Sequence, residues 1–273
     1  MTSRKIPFLK MAGAGNDFVV IDNRKGVIKR RNLAARRLCD RKLIGADGLL
    51  LLENTGRRGL KMRYFNRDGS EAEMCGNGGR CFARFISIVA RGTKEVCFQA
   101  IDGPHEAKVQ RASVSLKMSD SRMIREDMRV EVTRKKMAGS LINTGVPHFV
   151  VLVDNVRTID VAGLGRTLRN HTSFRPHGTN VDFVQRLGGR KIRVRTYERG
   201  VEAETRGCGT GAVAAALVAS RAWGIPSPVK VLTESGVWLE AAFNESGKTF
   251  NEIWLRGDAQ VLFEGEVLPQ YIG

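Results

Sequence analysis

Four short motifs occur twice in this chain, in the same order and at a nearly constant offset of about 130 residues, the signature of a duplicated unit. Phe18-Val-Val-Ile-Asp-Asn23 returns as Phe149-Val-Val-Leu-Val-Asp-Asn155, and Gly45-Ala-Asp-Gly-Leu-Leu-Leu51 as Gly178-Thr-Asn-Val-Asp-Phe-Val184. Arg63-Tyr-Phe-Asn-Arg67 returns as Arg195-Thr-Tyr-Glu-Arg199, and Cys75-Gly-Asn-Gly-Gly79 as Cys208-Gly-Thr-Gly-Ala212. Any one match is cheap; four in series are not. A chain of 273 residues is therefore expected to fold as a pseudo-symmetric pair, residues 1–122 as one half and 123–259 as the other. The polar stretch Met118 to Arg129 lies at the junction, and the tail of about residues 260–273 is left open to pack back on the first half.

Each half carries runs of branched or alternating apolar residues bounded by Gly, Asn or Asp, which predict strands. In the first they are Phe18 to Asp22, Gly48 to Glu53, Leu60 to Phe65, Glu95 to Ile101 and Ala112 to Lys117. In the second they are His148 to Val153, Val181 to Gln185, Lys191 to Tyr197, Val229 to Leu232, Val237 to Ala242 and Glu252 to Leu255. One helix per half is predicted to start just after the Cys-Gly-x-Gly turn. Phe82, Phe85, Ile86 and Val89 recur at helical spacing, with Gly92 to end the run. Ala212 to Trp223 is apolar nearly all round, the mark of a helix enclosed by other elements, and stops at Gly224 and Pro226. The fold class expected is mixed α/β: two similar halves, each a β-barrel-like shell of strands around a central helix.

This organisation puts Cys75 and Cys208 at equivalent places, each at the mouth of a helix. Helix N-termini offer unsatisfied N–H groups and a positive dipole end, which favour a thiolate and can hold a carboxylate. A single cysteine in such a chain is more often a small buried hydrophobe; two at matching positions argue for chemistry. If both address one α-carbon, a thiolate removes its proton from one face while a thiol delivers one to the other. Configuration inverts without a cofactor, provided donors stabilise the carbanion through its carboxylate.

The residues around these positions resemble the diaminopimelate epimerase family. The likeness is carried by Lys10-Met-Ala-Gly-Ala-Gly-Asn-Asp-Phe18, Gly45-Ala-Asp-Gly48 and Asn66-Arg-Asp-Gly-Ser70 leading to Cys75-Gly-Asn-Gly-Gly-Arg-Cys81. Gly178-Thr-Asn-Val-Asp-Phe183 and Tyr197-Glu-Arg-Gly200 leading to Cys208-Gly-Thr-Gly211 continue it, in family order from about residue 6 to 223. The resemblance implies an isomerase that converts LL- to meso-diaminopimelate in lysine and peptidoglycan precursor biosynthesis, with the active site between two similar α/β halves. It implies Cys75 and Cys208 as the exchanging base and acid, with His148 and Glu198 tuning their protonation. The backbone of Gly76, Asn77, Gly209 and Thr210 would cradle the reacting carboxylate. Asn16, Asn66, Asn180, Glu198 and Arg199 would orient the substrate and hold its distant end.

Each of these has a plainer reading: Asn16 and Asn66 as turn formers, His148 as a structural histidine, Glu198-Arg199 as a solvated ion pair. Cys39, Cys81 and Cys97 have no counterpart in the other half and are read as packing residues. Two departures from the family pattern bear on substrate choice. Val146 stands before Pro147-His148 where an Asn is common, so another amino acid on the same scaffold is the alternative substrate. Arg206-Gly207 precedes Cys208, where a small or apolar pair is usual; Arg206 either assists ionisation of the thiol or points outward.

The charge balance is strongly basic, 45 Lys+Arg against 28 Asp+Glu for a net +17. The basic residues lie in scattered clusters, Lys29 to Arg31, Arg36-Arg37, Arg57-Arg58 and Arg134 to Lys136, rather than in one stripe with interleaved aromatics. No specific nucleic-acid partner is expected from that distribution. No run approaches the roughly 20 apolar residues needed to cross a bilayer, and the N-terminus lacks the apolar region and cleavage site of a secretory signal. Five cysteines without C-x-x-C spacing disfavour a disulfide framework or a zinc site. A cytoplasmic enzyme acting on a small amino-acid substrate without metal or cofactor, with a homodimer as a possible assembly, is the expectation.

Overall fold

The computed structural model describes residues 5–56, 59–132 and 135–272. It divides into two compact units, one of residues 1–116 with 257–273, the other of residues 117–256.

In the first unit the strand Gln260–Val267 runs antiparallel to Ile6–Gly13, which pairs in turn with Asn16–Asp22. Asn16–Asp22 lies parallel to Gly48–Asn54, and that strand lies antiparallel to Leu60–Asn66. Leu60–Asn66 has a parallel neighbour in Glu95–Ala100, and Gly103–Val109 and Val114–Lys117 follow by antiparallel pairing. The helix Gly76–Val89 packs against five of these strands.

The second unit repeats the sequence of pairings. Ser121–Val132, Lys135–Asn143 and Pro147–Leu152 are successive antiparallel neighbours. Pro147–Leu152 is parallel to Asn180–Gly188, which is antiparallel to Lys191–Glu198. Val229–Leu232 joins in parallel, then Trp238–Ser246 and Thr249–Gly257 antiparallel. Thr249 and Phe250 pair with Arg122 and Ser121, so the last strand meets the first and the ring closes without an edge. The helix Gly209–Trp223 touches six of these strands, and every residue from Gly211 to Ser220 is buried. A helix with no polar face is stable only in such a surround. The mixed α/β class and the two repeated halves expected from the motifs are what the chain adopts.

The differences have local causes. Residues 118–129, read as a polar junction, belong largely to the strand Ser121–Val132. Met123, Met128, Val130 and Val132 face inward, while Arg122, Arg125, Glu126, Arg129 and Glu131 face out. Asp127 at φ 49° interrupts the alternation, and this broken period masks the strand. Val89, expected on the inner stripe of its helix, is exposed because it is the last helical residue; Phe82, Phe85 and Ile86 are buried. Two short helices, Arg31–Leu38 and Val161–Arg169, were not anticipated. Of the basic clusters, Arg57, Arg58 and Arg134 lie outside the described residues. Arg31 binds Glu53, and Arg36 and Arg37 donate to the carbonyls of Asp68 and Gln270. No helix among the described residues is long and apolar enough to cross a membrane.

The helix Gly209–Trp223 ends on Gly224, in the left-handed region at φ 62°, ψ 31°. A Cβ there would meet open space, so only backbone strain opposes a side chain. Gly224→Ala should cost about 1 kcal/mol, read as a lower midpoint in urea with unchanged catalysis.

Candidate active site

Both cysteines singled out by the repeat are N-caps. Cys75 precedes the helix Gly76–Val89 with extended backbone at φ −96°, ψ 146°, and its Sγ accepts from the Gly78 N–H at 3.2 Å. Cys208 precedes Gly209–Trp223 at φ −96°, ψ 120°, with its Sγ accepting from the Gly211 N–H at 3.4 Å. Glycine is what lets the first turn lie so close to sulfur: a Cβ on Gly78 would be 3.1 Å from the Cys75 Sγ. The backbone of Gly76 and Asn77 in one helix and of Gly209 and Thr210 in the other forms the first turn, at the positive end of the helix dipole. Each unit thus presents a thiol at the start of its central helix.

In the first unit Asn16 and Asn77 join that turn. The Asn77 Nδ2 donates to the Asn16 Oδ1 at 2.8 Å, and the Asn16 Nδ2 donates to the Asp47 Oδ2 at 2.9 Å. Asn66, paired across the sheet with Gly48, closes its strand with a turn in which its Nδ2 donates to the Ser70 Oγ at 3.1 Å.

In the second unit the two-residue period of paired strands gathers His148, Asn180, Asp182, Thr196 and Glu198 on one face. His148 and Asp182 are both fully buried, with the His148 Nδ1 2.7 Å from the Asp182 Oδ2. The other Asp182 oxygen accepts from the Thr196 hydroxyl at 2.7 Å. Asn180 donates to the Pro147 carbonyl, approaches the His148 Nε2 at 3.4 Å and accepts from the Arg199 N–H at 2.8 Å. The Arg199 guanidinium donates to the His177 carbonyl. Against this face stands the helix start: a Cβ on Gly211 would lie 2.6 Å from the Asp182 Oδ1.

Electrostatics follow from this crowding. Burial raises the Cys208 thiol well above its ordinary range, and the carboxylates of Glu198 and Asp182 push it further; the contacts with Thr210 and Gly211 oppose them only in part. Burial also raises Glu198, while Thr205, His148 and Cys208 pull it back. Cys208 is accordingly held as the thiol. Asp182 did not stand out in the sequence, yet it sits two residues after Asn180 and so shares its face, a signal the strand period contained.

The remaining expectations sort by exposure. Cys39 and Cys81 are buried, and burial pushes both thiols up to about 12. Cys97 is exposed, contrary to its reading as a packing residue, because Val96 and Phe98 take the inward positions of Glu95–Ala100. Arg206 is exposed, and Val146 is half-buried just before Pro147. Among the described residues no group of three His, Cys, Asp or Glu is placed to hold a metal ion.

The sequence model of the family described as "Diaminopimelate epimerase" matches residues 8–124 and 140–262. A diaminopimelate epimerase from Aquifex aeolicus (strain VF5) is 41% identical over 279 residues, covering 97% of this chain and 99% of its own length. One from Flavobacterium psychrophilum is 39% identical, covering 93% and 97%. Among solved structures, a hydroxyproline epimerase from Agrobacterium vitis superposes with a TM-score of 0.67 at 15% identity, over 98% of this chain and 92% of that one. That last likeness concerns the fold alone. With sequence matches running through both repeated halves and over nearly the whole length, the chain belongs to the diaminopimelate epimerase family.

Proposed function

We propose that this protein epimerises LL-2,6-diaminopimelate to the meso isomer by a cofactor-independent two-base reaction, supplying lysine and peptidoglycan precursor biosynthesis in the cytoplasm. The observation that carries the reading is that two units of one design each cap their central helix with a cysteine. In the forward direction the Cys75 thiolate takes the α-proton, leaving a carbanion whose charge spreads into the adjacent carboxylate. The Cys208 thiol then gives its proton to the opposite face and becomes the thiolate. The reverse direction exchanges the two roles, and no electrons are gained or lost. The helix-start N–H groups would bind the carboxylate as its charge grows, where fixed donors act most strongly. Asn16, Asn66, Asn180, Glu198 and Arg199 are proposed to orient the substrate, and Glu198 with His148 to tune protonation.

Incubated in D₂O under reducing conditions with LL-diaminopimelate and no added pyridoxal phosphate or metal, the protein should place deuterium at an α-carbon and form meso product. Absence of exchange with the thiols reduced would overturn the reading. A second reading, an epimerase or racemase of another amino acid, is favoured by the apolar Val146. It would be preferred if a substrate panel gave faster exchange on a monocarboxylic amino acid than on diaminopimelate.

A further inference from the structure

The repeat that pairs the two cysteines does not pair their surroundings. At the offsets of the flanking motifs, Asn66 answers Glu198, Leu49 answers Asp182, and Arg80 answers Val213. The helix start at Cys208 thus has the carboxylates of Glu198 and Asp182 where the one at Cys75 has Asn66 and Leu49, and Arg80 stands where the second copy has Val213; the exposed Arg206 and Glu73, each two residues before its cysteine, run the other way.

Arg80 is fully buried in the helix Gly76–Val89. Long helical side chains lean toward the N-terminus, and here Nη2 reaches back to donate to the Asn77 Oδ1. Nε and Nη1 meet no acceptor among the described residues. A guanidinium keeps its charge in a protein interior, so a counter-charge is worth a great deal at this spot. The ionisable groups whose charge it feels are Cys81 and Cys75 on its own helix and Asp258 from the segment before Gln260–Val267. Tyr64, on the strand Leu60–Asn66, faces Cys75. Burial keeps Cys81 and Tyr64 protonated. The Asp258 carboxylate accepts from the Ala14 N–H and the Gln260 amide, each at 3.1 Å, and does not bond the guanidinium. Beside the Asp258 carboxylate, Cys75 is the group that can add a second counter-charge by losing a proton.

We propose that Arg80 is a positioning residue that locks the Asn77–Asn16 pair and serves as the counter-cation holding Cys75 as the resting thiolate, so that the two halves start from opposite protonation states. The amide side of this is a fixed chain of donors. Arg80 sets the Asn77 oxygen, Asn77 then donates to Asn16, and Asn16 donates to Asp47. Asp17 and the buried Lys10 anchor the far end, with the Asp47 N–H donating to Asp17 and Lys10 paired to Asp17 at 2.7 Å. The inference rests on Cys75 being a proton-transfer group, but its test reads the thiol of the substrate-free protein and stands apart from the exchange assay.

Alkylation by iodoacetamide as a function of pH, with each cysteine resolved by peptide mapping, supplies that test. In the unmodified protein Cys75 should titrate below the ordinary thiol value of about 8.5 and react ahead of Cys208 at neutral pH. Arg80→Gln, checked for its fold by circular dichroism, should raise the Cys75 midpoint and slow its alkylation at pH 7 about tenfold, one unit of midpoint being about a tenfold change in thiolate. Arg80→Lys should restore most of the rate. A Cys75 midpoint at or above about 8.5 in the unmodified protein overturns the proposal whether or not the variants fold. So does an unchanged midpoint in folded Arg80→Gln.

Discussion

Alanine in place of Cys208 should slow epimerisation of diaminopimelate by about 10²–10⁴-fold or more, the range that a positioned proton donor contributes. The loss would come from chemistry rather than unfolding. The Sγ also caps the helix by accepting from the Gly211 N–H, but removing a cap costs only about 1 kcal/mol. The ten residues Gly211 to Ser220 stay buried in a closed ring of strands. Cys208→Ser separates the two roles, because its hydroxyl restores a cap acceptor without restoring a thiol. Unfolding midpoints in urea should order as parent, Ser, Ala, while formation of the meso isomer stays low in both variants. Meso product formed within tenfold of the parent rate in Cys208→Ala would mean that the second proton comes from elsewhere.

What could be read of the candidate site in each unit is what repetition carries. Cys75 and Cys208 were visible because each opens a Gly-rich turn before an apolar run, and duplication made both improbable as accidents. The central helices were legible for the same reason. The strand Ser121–Val132 was not, since a positive φ at Asp127 breaks its alternation and charges fill its outer face. Nor could sequence decide where Gln260–Val267 belongs: its outward residues include Val261, Leu262 and Phe263, so no alternation marks a buried face, and its pairing with Ile6–Gly13 is set across almost the full chain length. Arg80 and Asp182 show a second limit. Both are charged residues inside recognised motifs, and only the structure shows that they are completely buried, Arg80 on Asn77 and Asp182 on His148. Symmetry exposes what two halves share, and it hides the residues by which they differ.

Asp182→Asn should move stability and thiol reactivity in opposite directions. Asp182 is wholly buried and accepts two hydrogen bonds of 2.7 Å, from His148 and from Thr196. An amide of the same shape can still accept from Thr196, but it turns an NH₂ toward the His148 Nδ1. The imidazole then has to carry its proton on Nε2, which faces the Asn180 NH₂ at 3.4 Å. Donor now meets donor, and relief by rotating the Asn180 amide would forfeit the bond from the Arg199 N–H. Loss of a charge-assisted buried bond costs about 1.5–3 kcal/mol, so the variant should unfold at clearly lower urea. Cys208 responds the other way, because the Asp182 charge is one of the causes holding its proton in place. With that charge gone the thiol ionises more readily, and its alkylation at a fixed pH near 8 should become faster in a protein that is less stable. A general loosening of the unit would speed alkylation at every pH without shifting the midpoint. Removal of a charge lowers the midpoint itself, and a midpoint that does not move would show that Asp182 acts on the histidine alone.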